Sequence, residues 1–142
     1  MDMTDLKDQM RRFNKEVFEN GNVDAIDELL TENFIEHQPP PPGVEMKPGR
    51  EGVKTFLKSY MDAFSDWSTE INQLIQEGDT VVAHGSYTAT HTGNFAGIPA
   101  TNKRITVEGI DIVRFEGDRA AEHWGLIDAA SMLTQMGVMP SM

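Results

Sequence analysis

The chain has 142 residues, near the size of one domain and long enough to bury one core. Lys and Arg total 12 against 23 Asp and Glu, a formal net charge of −11, which argues against nucleic acid and anionic membrane surfaces as partners. With zero cysteines there is no disulfide, thiol nucleophile or thiolate metal site, and no apolar run approaches the roughly 20 residues of a membrane helix.

The first half predicts helices. Met3, Leu6, Met10, Phe13 and Val17 recur at three- and four-residue steps, the stripe of an amphipathic helix. Asn20-Gly21-Asn22 ends it, and Asn22 can cap a short helix burying Val23, Ile26, Leu29 and Leu30. Phe34 to Gln38 predicts a short strand, stopped by the stiff loop Pro39-Pro40-Pro41-Pro42-Gly43. A third helix starts near Pro48 with Val53, Phe56, Leu57, Tyr60, Met61 and Phe64 as its stripe.

The second half changes period to two. Trp67, Thr69, Ile71, Gln73 and Ile75 alternate with polar residues as far as Glu77-Gly78-Asp79, a hairpin signal. The next strand sets Val81, Ala83, Gly85, Tyr87, Ala89 and His91 on one face. Thr92 to Pro99 is a loop with apolar tips, Lys103 to Phe115 a long strand, and Glu116-Gly117-Asp118 turns it into Arg119 to Leu126. A last helix, Asp128 to Met136, stops at Gly137 with Pro140 beyond. Helices followed by three or four long antiparallel strands predict an α+β fold, with a curved sheet wrapped around a helix and a pocket at its open end. Without repeats, a linker or an apolar signal region, the expectation is one cytoplasmic domain over residues 1–142.

Asp111 breaks the pattern, since its strand face is otherwise Ile105, Val107, Gly109, Val113 and Phe115. A buried carboxylate without a partner costs several kcal/mol, so it implies a structural partner, a face shifted by a bulge at Gly109, or a chemical role. Counting outward from the turn sets Phe115 against Arg119 and Asp111 against His123, close enough for a carboxylate to orient an imidazole and raise its pKa. That pair is either an ordinary cross-strand contact or a catalytic one. His37 at the end of its strand and His91 beside the loop are weaker candidates for the pocket, and the four scattered histidines lack the close spacing of a helical metal pair. Phe64, Trp67 and Trp124 are core or pocket wall. Phe95 and Ile98, apolar in a Gly-rich loop, are expected to cover a pocket or a dimer partner. No dinucleotide, phosphate-loop, serine-hydrolase or zinc-protease motif is present.

Phe34-Ile35-Glu36-His37, the loop from His91 to Lys103, and Glu122-His123-Trp124 followed by Asp128 and Leu133 to Gly137 resemble the SnoaL-like polyketide cyclases of the nuclear-transport-factor-like superfamily. The resemblance covers nearly the whole chain. It implies a cone-shaped α+β barrel, a mainly antiparallel sheet around N-terminal helices, with a deep apolar pocket. It also implies a homodimer or higher homo-oligomer and cyclisation by intramolecular aldol condensation without metal or cofactor. His37 and His123 match family pocket histidines. The family's acid/base aspartate, two residues after that second histidine, is Gly125 here, and Asp111 stands where the family has a histidine. The residues assigned to catalysis are therefore Asp111, His123 and His37. Phe64, His91, Phe95, Ile98, Trp124, Gly125 and Asp128 are assigned to substrate binding, the substrate being a small apolar carbonyl compound. Epoxide hydrolysis or isomerisation, with Asp128 or His37 as the second acid, and ligand binding without turnover are the alternatives.

Overall fold

The computed structural model describes residues 5–41 and 43–138, so Met3 and Pro140 lie outside the described residues. Helix α1, Leu6–Phe13, is capped by Asp5, whose carboxylate accepts from the Lys7 N–H, and it continues as a π-helix over Asn14–Glu19. A 3₁₀ turn, Val23–Ala25, leads into the one-turn α2, Ile26–Leu29. Strand β1, Leu30–Glu36, precedes the proline loop and α3, Gly49–Ala63. Then come β2 (Phe64–Glu77), β3 (Thr80–His91), β4 (Arg104–Glu116), β5 (Arg119–Ile127) and α4 (Ala129–Met136).

The fold is α+β. Its five strands form one mixed sheet in the order β1-β5-β4-β3-β2, with β1 parallel to β5 and the other pairs antiparallel. The sheet is not closed, because β1 and β2 remain its two edges. Its inner face packs on the helices through Val17, Ile26, Leu30, Phe56, Val81 and Phe115. A second cluster joins Phe64, Phe95, Ile105, Met132 and Met136 at the other end.

Three local expectations are corrected. Leu30 and Phe64, read as helical, begin strands: each carries extended dihedrals where its helix ends. In β2 the simple alternation fails, because irregularities between Ser65 and Ser68 and between Ile71 and Gln73 change which side chains face inward. Trp67 and Ile71 face the interior, whereas Ile75 is 59% exposed. Gly109 is not a bulge, since β3 and β4 pair without interruption from Thr80↔Arg114 to Thr90↔Arg104.

Candidate functional site

Between the sheet and the helices lies a cavity of about 170 Å³. Its wall is largely aromatic and aliphatic: Phe13 and Phe18 from the N-terminal helices, Phe34, Phe56, Tyr60 and Phe64, and the inner face of β4 from Ile105 to Phe115. Among the described residues no Lys or Arg lines it, and its ionisable members besides the tyrosines are Glu36, Glu70, Asp111 and His123.

Glu36, His123, Asp111 and Tyr87 form one hydrogen-bonded row. His123 Nδ1 lies 2.5 Å from Glu36 Oε2, and its Nε2 lies 2.8 Å from Asp111 Oδ1. The Tyr87 hydroxyl donates to Asp111 Oδ2 at 2.5 Å. Sheet pairing explains the row. Glu36 is the register partner of His123 in the parallel β1–β5 pair, so both side chains leave the same face side by side. In the β4–β5 hairpin, Glu116 pairs with Arg119 and Phe115 with Ala120, and a bulge then shifts the register so that Asp111 faces Gly125 and Val113 faces His123. The expected pairing of Asp111 with His123 is thus corrected by two residues. A two-residue shift keeps the inner face, and His123 reaches Asp111 diagonally.

Two glycines make room for that convergence. A Cβ on Gly125 would lie 2.7 Å from His123 Cε1 and 3.0 Å from Nε2, so the imidazole rests over Gly125 on its way to Asp111. A Cβ on Gly109 would lie 3.3 Å from Tyr87 Cε2, so the phenol ring crosses that glycine in the same manner.

The row is largely buried, with side-chain exposures of 8% for Glu36, 15% for His123 and 20% for Asp111. Burial alone would lower the His123 pKa. The hydrogen bonds and charges of Asp111 and Glu36 outweigh it and raise the value from 6.5 to about 9. His123 is therefore an imidazolium at neutral pH, donating through both nitrogens. Burial, then the Asp111 charge and its hydrogen bond, hold Tyr87 well above its ordinary pKa of 10.0 and keep its proton in place.

Asp111, His123 and Phe64 line the cavity, and Gly125 abuts it beneath the His123 ring. The other predicted site residues lie elsewhere. His37 and Trp124 project from the outer face, stacked 4.8 Å apart at 4°. There His37 Nε2 sits 2.6 Å from Glu122, which also accepts from Arg114. His91 is fully buried behind Phe64, where its Nδ1 accepts from the Thr101 N–H and burial lowers its pKa. Phe95 packs on Tyr60 and Phe64, with Ile98 beside it in the same cluster, so the apolar loop tips cover the second cluster. Asp128 caps α4 by accepting from the Ser131 N–H.

Glu36, Tyr87 and Gln38 were missed. Their signal was parity: Gln38, just past the end of β1, continues the alternate positions Phe34 and Glu36, and Tyr87 shares a face with Ala83 and Ala89. Among the described residues no group of three or more His, Asp or Glu side chains is arranged to hold a metal ion.

An open mixed sheet folded over helices, with a hydrogen-bonded charged row inside a largely apolar cavity, defines a small-pocket α+β protein with ionisable groups at the pocket wall. The sequence profile of the SnoaL-like polyketide cyclases matches residues 8–136, and the chain belongs to that family. No curated relative matches. Among solved structures, TsrD from Streptomyces laurentii is 27% identical, with a TM-score of 0.84 over 98% of this chain and 99% of its own. A protein from Acidithiobacillus ferrooxidans is 26% identical, with a TM-score of 0.79 over 98% and 100%. IdmH from Streptomyces antibioticus is 25% identical, with a TM-score of 0.78 over 95% and 100%.

Proposed function

We propose that the protein performs cofactor-free acid/base chemistry on a small apolar carbonyl compound, such as an intramolecular aldol cyclisation, with Asp111 as base and His123 as its partner. The observation that carries this reading is the 2.8 Å contact between Asp111 and His123 inside an apolar cavity. Asp111 removes a proton from a carbon flanked by carbonyl groups, and the C–H electron pair becomes an enolate. The enolate carbon attacks a second carbonyl carbon of the same molecule, whose oxygen takes the proton back from Asp111. Through these steps His123 keeps its charge between Glu36 and Asp111. Negative charge moves from the carboxylate to the substrate and back, so the cavity's total charge does not change.

Positioned acid/base groups contribute about 10²–10⁴-fold. Asp111→Asn is therefore expected to lose at least about 10²-fold in proton–deuterium exchange at the activated carbon of a model β-keto ester, followed by NMR. Wild-type exchange in that variant would remove Asp111 as base.

A second reading, epoxide hydrolysis, is favoured by the symmetry of the carboxylate–imidazolium–carboxylate row. As one carboxylate takes a proton from water, the imidazolium N–H it held is freed and can pass its proton to the epoxide oxygen. Incorporation of ¹⁸O from labelled water into product would mark hydrolysis, because cyclisation incorporates none. His37 and Asp128 have no part in this reading. For assembly, we propose a homodimer through the outer sheet face, where Ile35, Ile110, Trp124 and Leu126 are exposed on β1, β4 and β5.

A further inference from the structure

We propose that Gln38 is the hydrogen-bond donor that meets the oxyanion developing on the substrate, a role that rests on the acid/base reading above. The donors within the charged row are already spent. Glu36 and Asp111, as carboxylates, only accept. Both nitrogens of His123 are committed to those carboxylates, and the Tyr87 hydroxyl is committed to Asp111. The row can take a proton from carbon, yet every proton it holds is directed at another member of the row. An enolate forming beside Asp111 needs a donor of its own, because an unsolvated oxyanion in an apolar cavity is costly.

Of the lining side chains with an uncommitted donor, Asn14, Gln38, Tyr60 and Ser86, it is Gln38 that lies against Gly125, the register partner of Asp111. Strand alternation carries Glu36 inward, and Gln38, two residues on, lines the same cavity. Its Oε1 takes the space that a side chain at Gly125 would fill, on the same side of that residue as the His123 ring. With the carbonyl end set against Gly125, the NH₂ end is the one left to meet a ligand. Gly125 thus serves two neighbours, giving floor space to the imidazole and to the carboxamide. The chemical class that fits is a compound whose carbonyl oxygen reaches the Gln38 amide while its acidic carbon faces Asp111.

The test uses Gln38→Met, which keeps the side-chain volume and removes both N–H groups, alongside Gln38→Ala. Removing one oxyanion donor typically costs about 10²–10³-fold in kcat. Each variant is expected to lose about 10²-fold in saturated exchange of the β-keto ester with little change in KM. A second readout needs no turnover. Binding of p-nitrophenolate, an oxyanion probe followed by its absorbance, should weaken at least tenfold in Gln38→Met, while nitrobenzene binding stays constant. Wild-type exchange and wild-type phenolate binding in Gln38→Met would overturn the donor role and leave Asp111 as base untouched. If wild type catalyses no exchange but the variant still loses the phenolate, the donor stands and the proposed reaction falls. Failure of wild type to bind the phenolate at all counts against the donor.

Discussion

His123 is the side chain on which the site turns, because its charge depends on Glu36 and Asp111, two neighbours from different strands. With a folded pKa of about 9 against 6.5 for the free group, it binds its proton more tightly in the native state. The linked stability is complete below about pH 6.5, declines as pH rises, and is gone above about pH 9. Its size is on the order of 3 kcal/mol at about 1.4 kcal/mol per pKa unit. Glu36→Gln removes one of the two compensating charges, so the His123 pKa measured by NMR titration should fall by at least about one unit. The stability difference between wild type and Glu36→Gln in urea should then shrink as pH is raised toward 9. An unchanged titration would mean that Asp111 alone holds the proton. That Asp111 and His123 share the inner face was legible from an acid on an apolar strand face and a short hairpin turn, whereas their register, shifted by two residues, was not. Glu36 was not, because Ile35 and His37 offered the opposite parity of β1 and the pairing of β1 with β5 is a long-range fact.

At the scale of elements, the site depends on where strands bend and where they approach closely. Gly85 is the clearest case. A Cβ there would overlap the Glu70 carbonyl oxygen and lie 3.0 Å from Ile71 Cα, so β2 backbone lies directly over it. Backbone cannot yield as a flexible side chain can. Gly85→Ala is expected to cost about 1–3 kcal/mol in urea unfolding, the usual range for overpacking, without altering the His123 titration. Wild-type stability would show that β2 can move away freely. The element order was readable because the hydrophobic period changes from helical to alternating near residue 64. The irregularities in β2 and the bulge in β5 were not, since nothing in their composition differs from that of regular strand. Both arise from the demands of a sheet that must curve over the helices.

For the whole molecule, the two sheet faces divide the labour. The inner face holds the cavity, while the outer face combines exposed apolar groups, with Leu126 77% exposed, and the His37–Glu122–Arg114 contacts. In the proposed dimer this face is covered, and Leu126→Lys would place a charge in its middle. Light scattering is expected to give twice the chain mass for wild type and the chain mass for Leu126→Lys. A monomeric wild type would remove the assembly. Leu126 is on the outer face, away from the charged row, so exchange at the model ester should survive in the monomeric variant. The family's overall shape was legible from the loop and strand motifs, whereas the side chosen by His37 and Trp124 required the register of β1 against β5.

That same pairing has one more consequence. Strand β1 is a sheet edge, joined only to β5, and its register breaks between Leu30 and Ile35. Past the break, the backbone pairing through Glu36 and the His37 N–H to the His123 carbonyl, together with the Glu36–His123 contact, secures its end. The proton on His123 is therefore also a fastener. When it leaves, a carboxylate faces a neutral ring, and the rim of the sheet keeps its backbone pairing but loses the charge attraction that adds to it. The hold on the end of β1 thus slackens as pH rises toward 9, and the charged row doubles as the seam between two strands of its own container.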